Sequence, residues 1–182
     1  MSFPTLKKCL LLFPILAIAL AACWPAHAQV PKSTVYTIPE AGVQMDLPFG
    51  WEASKDPNGS YVIVKKDADG YVVMSMNVLP REPTMTIDSL YAAFSEGIFD
   101  NAKKDWKGFK TGDLVKDTQS GMALRAQKIE GTVADSGGEL EGLVVVFDSP
   151  KPLGIFAQRT KKHSDVLQKE GADILASIKK IQ

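Results

Sequence analysis

Cysteine stops at position 23 of this 182-residue chain. Nothing after it can form a disulfide, serve as a thiol nucleophile or lend a thiolate to a metal. Histidine is nearly as scarce, with His163 alone beyond His27. A serine nucleophile needs a histidine base that is itself oriented by an acid. A transition-metal site needs several imidazole or thiolate ligands together. Both chemistries are therefore close to excluded, and no catalytic residue, cofactor or metal ligand is expected. After the first 22 residues no apolar run approaches the roughly 18 residues that span a bilayer as a helix. A surplus of one charge is missing too. Without Lys7 and Lys8 the chain holds 19 basic and 21 acidic residues. That balance, with no polybasic run, argues against nucleic acid or an anionic membrane surface as the main partner.

What the first 28 residues do contain is an export signal. Lys7 and Lys8 precede an apolar stretch from Cys9 to Ala22, and small residues follow. Two cuts compete. Leu20-Ala21-Ala22-Cys23 matches a lipoprotein box, whereas Ala26-His27-Ala28 matches an ordinary signal-peptidase site. Trp24 is bulky for a lipid tether, and Pro25 breaks the apolar helix just upstream of the second site. The expected product starts at Gln29 and is periplasmic or secreted. The alternative is a chain lipidated at Cys23 and held to a membrane. Residues 29–182 suit one domain with a core large enough to need no disulfide staple.

Periodicity then sets out the elements. "VQMDL" (43–47) alternates with period two and puts Val43, Met45 and Leu47 on one face. "DPNG" (56–59) and "DADG" (67–70) are turns by composition. They frame the strands 60–66 and 71–79 as a hairpin. Ile87, Leu90, Tyr91, Phe94 and Ile98 recur at spacings of three and four, predicting a helix near 86–104 capped by Thr86. Strands follow over 122–133, 140–148 and 153–160. A second helix near 164–180, capped by Ser164, turns Leu167, Gly171, Ile174, Leu175 and Ile178 inward. Tight turns make the strands antiparallel, and each helix has a single apolar stripe to lay on a sheet. The expected class is α+β: one antiparallel sheet covered by helices, with Leu90, Phe94, Ile174 and Leu175 buried.

Several short strings carry possible chemistry, and each has a plainer reading. Asp135-Ser136-Gly137-Gly138 is found around protease nucleophiles, but no histidine precedes it in the exported chain, so a glycine-rich hairpin turn is expected. "KKDADGYVVMSM" (65–76) aligns with a calcium loop only by placing Lys65 and Met76 where carboxylates belong. His163 sits beside Lys161 and Lys162 and reads as a solvated residue before a helix. Lys103, Lys104, Lys107 and Lys110 interleave with Trp106 and Phe109. That segment is the expected interaction surface, suited to an acidic partner or an anionic lipid head.

The stretch "IPEAGVQMDLPFGWE" (38–52), with its Pro48-Phe49-Gly50-Trp51 turn, resembles the opening of PsbP-like domains. The later order of helix, long antiparallel strands and a final helix ending in "ILASIK" (174–179) is similar as well. The resemblance is to the PsbP-like, Mog-type superfamily and within it to the exported bacterial DcrB-like branch. It implies an α/β/α sandwich and a role in binding or assembly, without catalysis and with no catalytic residues to carry over. Trp51 is expected to bury its ring over a sheet end. The resulting expectation is a non-enzymatic binding or assembly protein of the cell envelope, with an envelope protein or lipid as partner. The alternative is a carrier of a lipid or other apolar molecule in a cavity lined by Phe94, Ile98, Val144 and Val146.

Overall fold

The computed structural model describes residues 33–68, 70–162 and 165–182. The export signal over 1–28, Cys23, the start at Gln29, His163 and the capping residue Ser164 lie outside the described residues. The strands are β1 (Ser33–Ile38), β2 (Val43–Pro48), β3 (Glu52–Lys55), β4 (Tyr61–Lys66) and β5 (Tyr71–Val78), then, after helix α1 (Ile87–Asp105), β6 (Trp106–Thr111), β7 (Val115–Gln119), β8 (Met122–Val133), β9 (Glu139–Phe147) and β10 (Leu153–Thr160). Helix α2 (Asp165–Ala176) and the short β11 (Lys179–Lys180) complete the chain. Among the described residues no helix is long and apolar enough to cross a membrane.

The α+β class holds, but the strands form two sheets and not one. The larger has the order β3-β4-β5-β10-β9-β8-β6, with β7 also on β8, and the smaller has the order β1-β2-β11. Every pairing is antiparallel. The second sheet exists because Ser33 to Ile38 pair with β2 from Ser33↔Pro48 to Ile38↔Val43. On its far side β2 takes Lys179 and Lys180. The C-terminal helix therefore stops at Ala176 and not near 180. Ser177 makes the break: its Oγ donates to the Ile174 carbonyl (2.7 Å) and accepts from the Asp46 amide (2.9 Å). Ile178 is buried all the same, as extended chain.

The two sheets share one apolar core. Val43, Met45 and Leu47 of β2 meet Tyr61, Ile63, Met74, Met76, Val145, Phe147, Leu153 and Ile155 of the large sheet. Trp51 joins this core, turned inward by the Pro48-Phe49-Gly50-Trp51 turn, in which the Trp51 amide reaches the Pro48 carbonyl. Gly50 stands there at φ 85°, a conformation costly for a residue with a Cβ. The turn leaves Phe49 81% exposed at its tip.

Helix α1 covers the opposite face of the large sheet. Thr86 caps it as expected, accepting from the Ser89 amide while the Ser89 hydroxyl answers the Thr86 amide. Leu90 and Tyr91 are buried against Val144 and Val146. Phe94 is only half-buried, contrary to the expectation of full burial. Its ring lies along the sheet surface over Gly154, where a Cβ would come within 2.8 Å of the ring. Asp88 ties the start of α1 to the sheet through Arg125 (2.6 Å) and Lys116 (3.2 Å).

Two predictions follow from this packing. Gly154→Ala should cost about 1–3 kcal/mol in urea unfolding, the range typical of overpacking, and Phe94→Leu in the same chain should recover part of it. No loss would place Phe94 away from β10. The second concerns acid. The guanidinium of Arg125 and the ammonium of Lys116 hold the Asp88 carboxyl down at about 2 from an ordinary 3.8. Glu40, accepting from Lys55 and Tyr61, is likewise held at about 2 from 4.5. Depressed carboxyls stabilise the fold above their ordinary values and lose that contribution as pH falls toward 2. Asp88→Asn should therefore flatten part of the fall in Tm between about pH 4 and 2, and an unchanged profile would contradict the pairing.

Candidate functional site

The face of the large sheet that carries the shared core is not apolar throughout, and strand register shows where it changes. Directly opposed residues share a face. One row reads Tyr61, Met76, Ile155, Val145, Ala126 across β4, β5, β10, β9 and β8. The next reads Ile63, Met74, Ala157, Leu143, Lys128. The third reads Lys65, Val72, Arg159, Glu141, Glu130 and, on β6, Lys110. The small sheet covers the first of these rows. Helix α2 covers only the β5 side of the other two.

A cavity of about 560 Å³ occupies the remainder, between α2 and strands β8, β9 and β10. Met74, Leu143 and Ala157 give it an apolar floor, and Ala172 and Leu175 of α2 form one wall. Lys110, Lys128, Glu130, Glu141 and Arg159 line its charged side. A volume in this range, mostly apolar with a few polar groups, is what small-molecule sites have. Leu175, expected to be fully buried, is half-buried because it faces this space.

The wall is fixed at two points. Glu170 of α2 accepts hydrogen bonds from Trp51 Nε1 (2.9 Å) and Lys65 Nζ (2.6 Å) on the same oxygen. At the other end, the Gln119 side-chain amide donates to the carbonyls of Leu175 and Ile178, both at 2.9 Å. The Leu175 carbonyl is one that the helix end leaves without an intrahelical partner, and the Ile178 carbonyl belongs to the extended chain after it. Between the two pins Gly171 sits over Met74 and Val72, both 3.5 Å from where its Cβ would be. At that distance α2 is in van der Waals contact with β5.

The charges on the rim are mostly paired. Arg159 meets Glu141 through Nε (3.1 Å) and Nη2 (2.5 Å), the two residues being register partners. Glu130 lies 4.0 Å from Lys110 and 3.7 Å from Lys161. Among the described residues Lys128 is in no ion pair. The rim thus has three cations to two carboxylates, and both carboxylates are engaged.

The lysine–aromatic segment is divided by the fold. Lys103 and Lys104 end α1, while Lys107 and Lys110 lie on β6. All four are exposed, but Trp106 is only 9% exposed and packs with Ala102, Ile129 and Leu140. Phe109 is half-buried against Phe99, their ring centres 5.9 Å apart, and against Trp106 at 6.4 Å. The reason is that β6 pairs with β8, setting Trp106 opposite Val133 and its Cβ against Gly131. The two rings are therefore core and not outward anchors, and of the six residues Lys110 is the one that lines the cavity. Phe94, Ile98, Val144 and Val146 do come together, but as packing beneath α1 on the opposite face.

The remaining strings take their plain readings. Ser136 stands in the β8–β9 turn, its Oγ accepting from the Gly138 amide at 3.3 Å. Asp67 Oδ1 accepts from the Gly70 amide (2.9 Å) in the β4–β5 turn. Among the described residues there is no histidine or cysteine, and no group of three acidic or metal-ligating side chains that could hold a metal.

Solved structures resemble this arrangement. The solution structure of the cyanobacterial PsbP protein, CyanoP, from Synechocystis sp. PCC 6803 matches with a TM-score of 0.58 at 14% identity, over 85% of this chain and 96% of that one. A crystal structure from Bacteroides thetaiotaomicron VPI-5482 matches with a TM-score of 0.51 at 14% identity, over 83% of this chain and 49% of that one, so this chain spans about half its length. LpqN of Mycobacterium tuberculosis, described as involved in cell envelope biogenesis, matches with a TM-score of 0.46 at 13% identity over 81% of this chain and 89% of that one. The first two establish the fold alone, and the fold is PsbP-like. No family model and no curated protein matches the chain in sequence.

Proposed function

We propose that this chain is an exported binding protein of the bacterial cell envelope, working without catalysis, and that it holds a small amphipathic or apolar molecule in the cavity under α2. The cavity is the observation that carries this reading. It has the volume and the mostly apolar lining of a ligand site, and its wall is pinned at both ends by side chains from distant strands. The residue inventory supports the non-catalytic half, since the chain beyond position 28 offers one histidine and no cysteine. Export rests on the leader and its two cleavage patterns. The PsbP-like fold and the Pro48-Phe49-Gly50-Trp51 turn support membership of that superfamily, and the leader is what speaks for its exported bacterial branch.

A second reading has one observation in its favour. Lys103, Lys104, Lys107 and Lys110 are exposed along the end of α1 and the edge strand β6, where an acidic envelope protein could dock by charge. Without an aromatic anchor such a contact would be weak and salt-sensitive.

Native mass spectrometry of the protein recovered from envelope extract tests the leading reading. The expected result is a chain beginning at Gln29 that carries a small-molecule adduct lost on denaturation. A diacylglyceryl group on Cys23 would replace free export by membrane anchoring. A bare chain that turns over envelope substrates would contradict both the ligand and the absence of catalysis.

A further inference from the structure

The cavity's charge pattern narrows the class of ligand. The row that forms its floor runs from Met74 through Ala157 and Leu143 to Lys128, one residue from each of four neighbouring strands. Met74 is itself 1% exposed beneath Gly171, so the open trough runs the two strand intervals from Ala157 to Lys128, about 10 Å, and continues along Ala172 and Leu175 of α2, room for a medium-length acyl chain. The row is apolar for its first three positions and ends in a cation. Along the adjacent row Glu141 is engaged by Arg159, and Glu130 lies between Lys110 and Lys161. Lys128 is the cation on this rim with no carboxylate to balance it among the described residues.

We infer that the cavity takes a single-chain amphiphile with a carboxylate head, its chain lying along Leu143 and Ala157 under Ala172 and Leu175 and its head on Lys128. This deepens the proposed binding role and rests on it. Covering Lys128 with a neutral head would strip water from an ammonium and return little. A carboxylate restores a charge-assisted hydrogen bond at that point. A cationic head would add a like charge to a rim that already has cations in excess. The opposite end of the trough closes against α2, where Gly171 sits on Met74, so the chain enters tail first and leaves its head at the β8 side.

The test compares three probes by calorimetry on the protein: dodecanoate and dodecylammonium below their micelle concentrations, and dodecanol below its solubility limit. Dodecanoate should bind with one-to-one stoichiometry, about fivefold tighter than dodecanol, as an exposed ammonium–carboxylate pair implies. Dodecylammonium should be weakest. Lys128→Gln should bring dodecanoate down to the dodecanol level with thermal unfolding unchanged, since the side chain is exposed. Lys128→Arg should keep the preference. Ala172→Trp, on an exposed helix position that faces the cavity, should weaken every probe that binds. Equal binding of dodecanoate and dodecanol, lost in Ala172→Trp, would overturn the carboxylate assignment and leave the cavity as the binding site. Binding that survives Ala172→Trp, or no binding by any probe, would overturn both.

Discussion

Helix α2 is seated by Leu167 and Ile174 in the shared core, and one carboxylate oxygen, on Glu170, fixes its register over the sheet. That oxygen accepts from an indole N–H on the turn before β3 and from an ammonium on β4, so two separate segments converge on a single atom of the helix. The pair with Lys65 is about a quarter exposed on each side, and an ion pair that wet is worth on the order of 1 kcal/mol or less. Its importance lies in position and not in stability. Seated there, α2 lies over β5 and leaves the β8–β9 side of the sheet uncovered. A helix displaced toward β9 would fill the cavity with its own side chains.

The large sheet serves two purposes on one face. Where the small sheet lies over it, the rows are apolar, and the core they form carries most of the burial. Further along, the same face turns to Lys128 in the next row and to Arg159, Glu141 and Glu130 in the row after it. A continuous apolar face would have needed a longer α2 or a further strand to cover it. Charged residues let that end meet water without cost, and they give the uncovered trough a defined polarity. The opposite face is conventional by comparison. Phe94 lies on Gly154, and Trp106 lies close to Gly131, so that α1 and β6 approach the sheet closely.

Much of this architecture was legible in the residues. The β4–β5 hairpin, the apolar stripe and Thr86 cap of α1, and strands β8, β9 and β10 all follow from periodicity and turn composition, because each is a local pattern. The smaller sheet did not follow. β11 is two lysines, and β1 carries no clean alternation of apolar and polar residues; both are strands because β2 offers both its edges. The burial of Trp106 was not legible for a related reason. Alternation along 103–110 cannot show that β8 will draw Trp106 into the core. The cavity was hidden more deeply still. Ala157, Leu143 and Lys128 are distant in sequence and meet only through register. A signal was nevertheless there: in β8, β9 and β10 the inward-facing positions change from apolar to charged at one end, at Lys128 and Glu130, at Glu141 and at Arg159.

The central claim is that the space under α2 is a binding site and not a packing defect. Methyl NMR of the protein titrated with dodecanoate tests it most directly. Leu143 and Leu175 face the cavity, whereas Met45 and Met122 are fully buried in the core away from it. The account predicts saturable shifts at the two leucines with the two methionines unmoved. Shifts at all four together, or at none, would contradict it.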